Sequence, residues 1–237
     1  MPWTVIRRDF TNADSIKCAL GCGQPITSGI AYVVQDENGQ IGFAGSTCVK
    51  RTENYVAGIP IPDFTAPIYE VAGGGNGGGG NGGNGGGNNA GAHPANNRQI
   101  AITYLLLRFE RLKHYQILAG SNRGKLTQIY DQYRNNQNIQ NADIGYLLTC
   151  ANNIANHLRF NLRNLMAFYN LDNLCNIISR SRHQNIRRQD RDNAARIARD
   201  LYRNTHVPLA DIQTINHILQ IIGSKHRMRD NAFQIME

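Results

Sequence analysis

Long apolar runs are absent from this sequence. No stretch approaches the about 18 consecutive apolar residues that a membrane-spanning helix needs. We also expect no secretion signal, because no uninterrupted apolar segment follows the two arginines of Met1–Phe10. The chain has 5 cysteines, and an odd number without such a signal indicates a reducing compartment. The sequence therefore predicts a cytoplasmic protein with no membrane partner, located in the host cytosol if the protein is viral.

Signatures of the common enzyme classes are missing too. The sequence contains no G-x-S-x-G motif, no kinase signature and no H-E-x-x-H pair. Its carboxylates form no dense cluster, and those of residues 190–200 alternate with arginines, as on a solvated helix face. No residue is a candidate for catalysis, and we expect the protein not to be an enzyme.

Positive charge is unevenly distributed along the chain, which has a formal net charge of +8. Residues 1–72 contain five Lys or Arg and seven Asp or Glu, whereas residues 93–237 contain twenty and ten. The C-terminal part alone is therefore basic, and this favours a polyanionic partner. Most of its positive residues are arginines, which can hold phosphate or carboxylate through two parallel hydrogen bonds.

Three of the five cysteines, Cys18, Cys22 and Cys48, lie within Ile16–Lys50. The segment I-K-C-A-L-G-C-G-Q-P-I places two thiols in a turn that Gly21 and Gly23 allow to fold back. After a hairpin turn at D-E-N-G, the segment F-A-G-S-T-C-V-K places the third thiol at a short helix start. Thiolates are preferred ligands of structural zinc. A module this small has too little hydrophobic core to be stable without a metal ion or another cross-link. We therefore predict that the three cysteines bind Zn²⁺.

The fourth zinc ligand is not determined by the sequence. No histidine precedes His93, and Arg51 stands where a zinc finger often has Cys or His. The candidates are Asp9, Asp14, His93, water and a residue of a partner. Two other interpretations stay open: reduced, half-buried cysteines in a small β module, and a disulfide between Cys18 and Cys22.

These residues resemble a treble-clef or zinc-knuckle module, of the kind found in assorted phage and plasmid proteins. The resemblance covers residues 16–51 and rests on the C-G knuckle, the hairpin and the G-x-x-C-x-K helix start. The C-x3-C knuckle is one residue longer than the usual one, and the last ligand is missing. The resemblance implies a fold element and a metal, but no activity.

A run of glycine and asparagine divides the chain at Gly73–Asn89. Such a run has few side chains to bury and high backbone entropy, so we predict a flexible linker over residues 73–92. The linker separates a small zinc-knuckle-like β module, residues 1–72, from a basic all-α domain, residues 93–237. The predicted fold class is therefore α+β in two modules, a zinc-stapled β-hairpin module and an all-α helical bundle.

The order of elements follows from apolar periodicity and turn residues. We expect a first strand at Trp3–Phe10, a hairpin of Ile30–Gln35 and Gln40–Ala44, and an extended, proline-rich Ile59–Ile68 covering the hairpin's apolar face. The predicted helices are Arg98–Leu118, Lys125–Arg134, Ala142–Leu158, Leu162–Ile178 (as one or two helices), Asp190–Tyr202 and Leu209–Ile222. In the first of these helices, Arg108 and Arg111 are expected to lie off the apolar face.

The densest basic run, Arg180–Arg199, and the basic tail near Lys225 are candidate contacts with phosphate. The predicted nucleic-acid-binding residues are Arg180, Arg182, Arg187, Arg188, Arg191, Lys225, Arg227 and Arg229. An ordinary solvated face, with the neighbouring aspartates as partners, is the alternative interpretation of the run. No aromatic nucleic-acid-binding signature accompanies it.

Three functional hypotheses follow. The first is a non-enzymatic, zinc-binding, nucleic-acid-associated protein whose basic helical domain contacts the phosphate backbone. The second is an adaptor of viral or mobile-element origin that binds acidic protein surfaces. The third is a metal-dependent hydrolase that uses the fourth position of a three-thiolate site.

Overall fold

A computed structural model describes residues 3–11, 13–51, 61–70, 94–114, 124–136, 138–152, 160–203 and 207–233. The strands are β1 (Trp3–Phe10), β2 (Ile16–Lys17), β3 (Pro25–Ile26), β4 (Ile30–Asp36), β5 (Ile41–Ala44), β6 (Ile68–Glu70) and β7 (His226–Met228). The helices are α1 (Ser46–Val49), α2 (Pro94–Leu106), α3 (Gly124–Asn136), α4 (Asn141–Ala151), α5 (Leu162–Arg180), α6 (Arg188–Arg203) and α7 (Leu209–Ile221). The structure is α+β, as predicted, and the predicted linker lies outside the described residues.

The N-terminal strands form an antiparallel sheet in the order β1-β4-β5. The predicted hairpin turn joins β4 to β5, where the Asp36 carboxylate accepts hydrogen bonds from the amides of Asn38 (3.0 Å) and Gln40 (2.7 Å). Gly39 completes the turn with a φ of +81°, a conformation that favours glycine. The register of β4 against β5 places Val34 opposite Gly42, and Val34 is fully buried.

Helices α2 to α7 contribute side chains to one hydrophobic core. Its centre is α5, which forms one continuous helix rather than two and buries Leu165, Phe168, Leu171 and Leu174 along one face. The helix begins at Asn161, whose side chain accepts a hydrogen bond from the Asn164 amide at 2.8 Å. Among the described helices, none is both long and apolar enough to cross a membrane.

A π-helical turn, Leu107–Arg111, continues α2 and ends where the Leu112 amide donates to the Leu107 carbonyl at 2.9 Å. Arg108 is only 3% exposed, so its predicted place off the apolar face is wrong. Its guanidinium donates to the Tyr104 hydroxyl at 2.9 Å and lies 4.8 Å from the centre of the Phe160 ring. These partners compensate the burial of the charge, and they come from tertiary packing that helical periodicity does not report.

The described part of the proline-rich segment, residues 61–68, joins β1 to the helical core, and its predicted place over the hairpin's apolar face stays a prediction. Arg8 of β1 exchanges backbone hydrogen bonds with the segment, donating to Pro62 at 2.8 Å and accepting from Phe64 at 3.0 Å. The Phe64 side chain is fully buried in the helical core. Farther along, β6 pairs antiparallel with β7, a strand that the prediction of an all-α region had missed. The short strand forms because β6, which is distant in sequence, supplies its hydrogen-bond partners.

Candidate metal centre and basic cleft

The three predicted metal ligands come from two local structures. Cys18 follows β2 and Cys22 lies in the turn before β3, whereas Cys48 lies in α1. The turn depends on Gly21 and Gly23, whose φ angles of +73° and +71° are strained for other residues. A backbone hydrogen bond from Ala19 to the Phe43 carbonyl, 2.8 Å long, fixes the turn against β5.

The structure brings the three thiols together, with their Sγ atoms all within 4.8 Å of one another. A tetrahedral zinc site with Zn–S bonds of about 2.3 Å has sulfur–sulfur separations of about 3.8 Å, so the cluster fits a metal ion with small adjustments. All three cysteines are free, and no disulfide joins Cys18 to Cys22. The cluster is therefore consistent with zinc and loosely fits the knuckle part of the resemblance, while the treble-clef assignment stays a prediction.

Hydrogen bonding between the thiols shifts the pKa values of Cys22 and Cys48 in opposite directions. A hydrogen bond from the Cys48 thiol, followed by one from the Gln24 backbone, lowers the pKa of the exposed Cys22. The same interaction with Cys22, together with burial, raises the pKa of Cys48 to about 12. Metal binding to thiols of this kind requires their deprotonation, so metal affinity at such a cluster depends on pH.

Two of the candidate fourth ligands, Asp9 and Asp14, do not belong to the cysteine cluster. Asp9 is 3% exposed and accepts hydrogen bonds from Arg7, Phe10, Arg111 and Tyr169. Asp14 is exposed and lies outside the cluster of potential ligand atoms, while His93 lies outside the described residues. Within the described part of the chain, the three cysteines form the only group of at least three potential ligands close enough to hold a metal ion.

The carboxylate of Asp9 is the centre of a buried network that the sequence did not reveal. One of its oxygens accepts from Arg111 of the π-helical turn at 2.7 Å, and the other accepts from the Tyr169 hydroxyl of α5 at 2.8 Å. Burial, and then the charge of Asp9, raise the pKa of Tyr169 well above its usual value, so this hydroxyl stays a donor. The network connects β1 to the helical core.

A cavity of about 580 Å³ opens beside the thiols, and we call it the cysteine cavity. All three cysteines line it, together with Arg8, Arg51 and several hydroxyl-bearing residues. No carboxylate is among its described lining residues. Arg51 was noted in the sequence only as a missing ligand, although its place one helical turn after Cys48 could have indicated that it faces the same site.

A second cavity of about 930 Å³, which we call the basic cleft, lies between the N-terminal module and the end of α5. It is lined by Arg180, Arg182 and Lys225, three of the predicted phosphate contacts, and Asp14 is the only acidic residue among its described lining residues. The two cavities share four lining residues, and these are Thr27, Ser28, Ser46 and His226. They therefore adjoin one another.

Close contacts hold the walls of the basic cleft together. Gly29 approaches α5 so closely that a Cβ at this position would be 2.8 Å from Cδ1 of Ile177. His226 of β7 lies with Nε2 3.0 Å from the Ser28 carbonyl. The cleft is thus built by segments that are far apart in the sequence.

The remaining predicted phosphate contacts do not line the basic cleft. Arg191 donates to the carbonyls of Ser179 (3.3 Å) and Ser181 (2.7 Å), and so holds the end of α5. Arg227 donates to the carbonyls of Ser224 and His226, both at 2.7 Å. Arg188 lies 3.9 Å from the Asp192 carboxylate, and the others, Arg187 and Arg229, are exposed.

Comparisons with known proteins give no relative for this chain: no protein-family model matches it, and neither does a curated protein or a solved structure.

Proposed function

We propose that this protein is a non-enzymatic, zinc-binding protein that holds nucleic acid by its phosphates in the basic cleft. The observation that carries the proposal is the meeting of Arg180, Arg182 and Lys225 in one cavity, whose described lining residues include a single acidic one, Asp14. Their positive charge favours a polyanion, and binding is accompanied by the release of counterions from the nucleic acid.

The uncharged lining residues of the basic cleft also favour a phosphate ligand. The hydroxyls of Thr27 and Ser46 line it and can donate hydrogen bonds to phosphate oxygens. Side chains that contact phosphates and not bases bind without reading sequence, so we expect low sequence specificity.

In this proposal zinc has a structural role. A metal held by Cys18, Cys22 and Cys48 fixes the turn between β2 and β3 to α1. The neighbouring residues Thr27 and Ser28, which follow β3, and Ser46 of α1 line the basic cleft. Three anionic thiolates donate strongly to the metal and weaken it as a Lewis acid. This argues against the hydrolase hypothesis.

A matched pair of variants tests the proposal. Arg180, Arg182 and Lys225 are replaced together by alanine, and the control replaces Arg188, Arg199 and Arg203, which are exposed on α6 and do not line the cleft. Both variants lose the same formal charge. Binding of a labelled single-stranded oligonucleotide is measured by fluorescence anisotropy over a series of salt concentrations.

We expect the cleft variant to lose most of its affinity and to show a salt slope smaller by about 2, since each phosphate contact to a single strand contributes about 0.7. The control should keep a slope close to that of the unmodified protein. Equal losses in the two variants would reduce the proposal to a general charge effect. If neither variant changes binding and an acidic protein co-purifies with both, the adaptor hypothesis is correct instead.

A further inference from the structure

We propose that the cysteine cavity is a phosphate-binding site in which a phosphate oxygen takes the fourth position of the metal held by Cys18, Cys22 and Cys48. The proposal rests on the zinc-binding part of the proposed function and is independent of the arginines in the basic cleft. It gives the metal centre a binding role in addition to its structural one.

The ligand set is the first argument. Zinc in proteins is almost always four-coordinate, and sites with three protein ligands keep the fourth position for water or an exogenous ligand. Within the described residues the cluster offers three thiols, and the carboxylate of the nearby candidate Asp9 already accepts four hydrogen bonds. Water would occupy the fourth position in the absence of another ligand.

The position of the cavity is the second argument. Cys22 is exposed and Cys48 half-buried, and both line the cysteine cavity together with the buried Cys18. The volume of about 580 Å³ is in the range of small-ligand sites. A ligand can therefore approach the ion from the side on which the cysteines meet the cavity.

The charge of the lining is the third argument. Because Zn²⁺ with three thiolates carries a net negative charge, the attraction for an anion must come from the guanidiniums of Arg8 and Arg51, which line the cavity. Arg51 is exposed at the rim, and no carboxylate among the described residues forms an ion pair with it. Arg8 also lines the cavity, 3.3 Å from the Asp63 carboxylate. A guanidinium can bind phosphate through two hydrogen bonds, while the hydroxyls of Ser46 and Thr47 reach its other oxygens.

The binding step is a ligand exchange. A water molecule leaves the metal and a phosphate oxygen replaces it, so no bond to phosphorus is broken and no electron is transferred. The phosphate comes either from the free ion or from a nucleic-acid chain. A chain bound here continues into the basic cleft, because the two cavities share lining residues.

Cobalt substitution tests the proposal on the full chain. Co²⁺ in a tetrahedral thiolate site has strong visible absorption bands that change when a ligand is exchanged. The full chain is loaded with one equivalent of Co²⁺ and titrated with inorganic phosphate in one arm and with a short oligonucleotide in the other. X-ray absorption of the zinc-loaded protein counts the sulfur neighbours, and we expect three, with one lighter atom.

We expect a saturable change of the visible bands with inorganic phosphate, and an apparent affinity at least fivefold weaker in Arg51→Ala. The control is Lys50→Ala, which removes the same charge from an exposed neighbour that does not line the cavity, and it should match the unmodified chain. A change of the bands with the oligonucleotide identifies the chain as a source, and a change with inorganic phosphate alone restricts the site to the free ion.

The failures are distinguishable. Absence of stoichiometric Co²⁺ binding overturns the zinc-binding part of the proposed function. Stoichiometric binding with bands that phosphate does not move means that the site is closed by a fourth protein ligand, and it overturns only the inference made here. The inference is also overturned if Arg51→Ala weakens phosphate binding while phosphate leaves the visible bands of the Co²⁺-loaded chain unchanged.

Discussion

Two glycines determine whether the cysteines of the knuckle can meet. Gly21 and Gly23 lie between and just after Cys18 and Cys22, and both have the left-handed conformation. In this conformation a side chain costs about 1–2 kcal/mol. In the proposed zinc site the turn carries two of the three ligands, so strain in the turn lowers metal affinity directly.

We therefore expect Gly23→Ala to weaken zinc binding by about 5- to 30-fold, as this strain converts into an affinity ratio. Competition with a chromophoric chelator measures the change. The matched control is Gly45→Ala, because Gly45 has a φ of −71° and open space around its missing Cβ. A loss of the same size in the control would contradict the assignment of the effect to the turn.

The Asp9 network is the second feature at the scale of single residues, and it affects stability. Asp9→Ala leaves the mostly buried Arg111 and Tyr169 without their shared acceptor, so we expect the free energy of unfolding to fall by about 3 kcal/mol. Tyr169→Phe removes one hydrogen bond to a charged group and should cost about 1.5–3 kcal/mol. Urea denaturation of both variants and of the double variant measures these values.

The double variant provides the internal check. Its loss should be smaller than the sum of the single losses by at least about 0.5 kcal/mol, because the two groups share an interaction. Arg188→Ala serves as a reference, since its ion pair with Asp192 is exposed and should contribute less than about 1 kcal/mol. Additive losses would mean that the hydrogen bond contributes nothing to folding.

At the scale of elements, the junction of α5 and α6 positions the arginines of the basic cleft. The predicted phosphate contact Arg191 lies in α6, but its guanidinium bonds to the carbonyls of Ser179 and Ser181 at the end of α5. Arg180 and Arg182 are in this same stretch. Arg191 therefore acts as a positioning residue that satisfies helix-end carbonyls.

Arg191→Ala should weaken oligonucleotide binding about threefold to tenfold more than Arg188→Ala, because charge-assisted hydrogen bonds contribute about 1.5–3 kcal/mol to folding and only part of this loss reaches the placement of Arg180 and Arg182. Fluorescence anisotropy measures the affinities, and hydrogen exchange of the amides around Arg182 reports the loosened backbone. The salt slope should change no more than in Arg188→Ala, since no phosphate contact is lost. A slope lower by a full contact would instead make Arg191 a direct ligand of phosphate.

At the scale of the whole molecule, the N-terminal sheet and the helices are connected by several contacts. Phe64 is buried in the helical core, β6 pairs with β7, and the Asp9 network joins β1 to α5. The small core of the N-terminal module, which includes Ile26, Ala31 and Val34, nevertheless remains a separate cluster. Independent folding of residues 1–72 and of residues 93–237 stays a prediction.

Removal of zinc should therefore change the structure only near the cysteines, but it should also lower the affinity of the basic cleft for nucleic acid. We expect a chelator to reduce oligonucleotide affinity at least fivefold while the helical circular dichroism signal stays nearly constant, because Thr27, Ser28 and Ser46 are close in sequence to the clustered cysteines and α5 contains none of these three cysteines. Hydrogen exchange should rise in the peptides around Thr27 and Ser46 and stay unchanged in α5. Unchanged oligonucleotide affinity in the chelated protein would mean that the metal does not influence binding in the basic cleft. Re-addition of zinc should restore the affinity.

Local features of the fold were readable from the amino-acid sequence. The thiol spacing, the glycines of the knuckle, the D-E-N-G turn and the apolar periodicity of the helices each act over a few residues. Their patterns therefore identify most of the elements and the three cysteines that cluster in the structure. The same patterns placed Arg180, Arg182 and Lys225 among the candidates for phosphate contact.

Only the tertiary structure decided which of these residues meet. Asp9 and its partners Arg111 and Tyr169 are 102 and 160 residues apart, and His226 reaches Ser28 over 198 residues. Arg108 became a buried residue because Tyr104 and Phe160 surround it. Periodicity reports which face of an element is apolar but not which distant element covers it, so the basic cleft and the burial of these charges depend on packing that no local pattern contains.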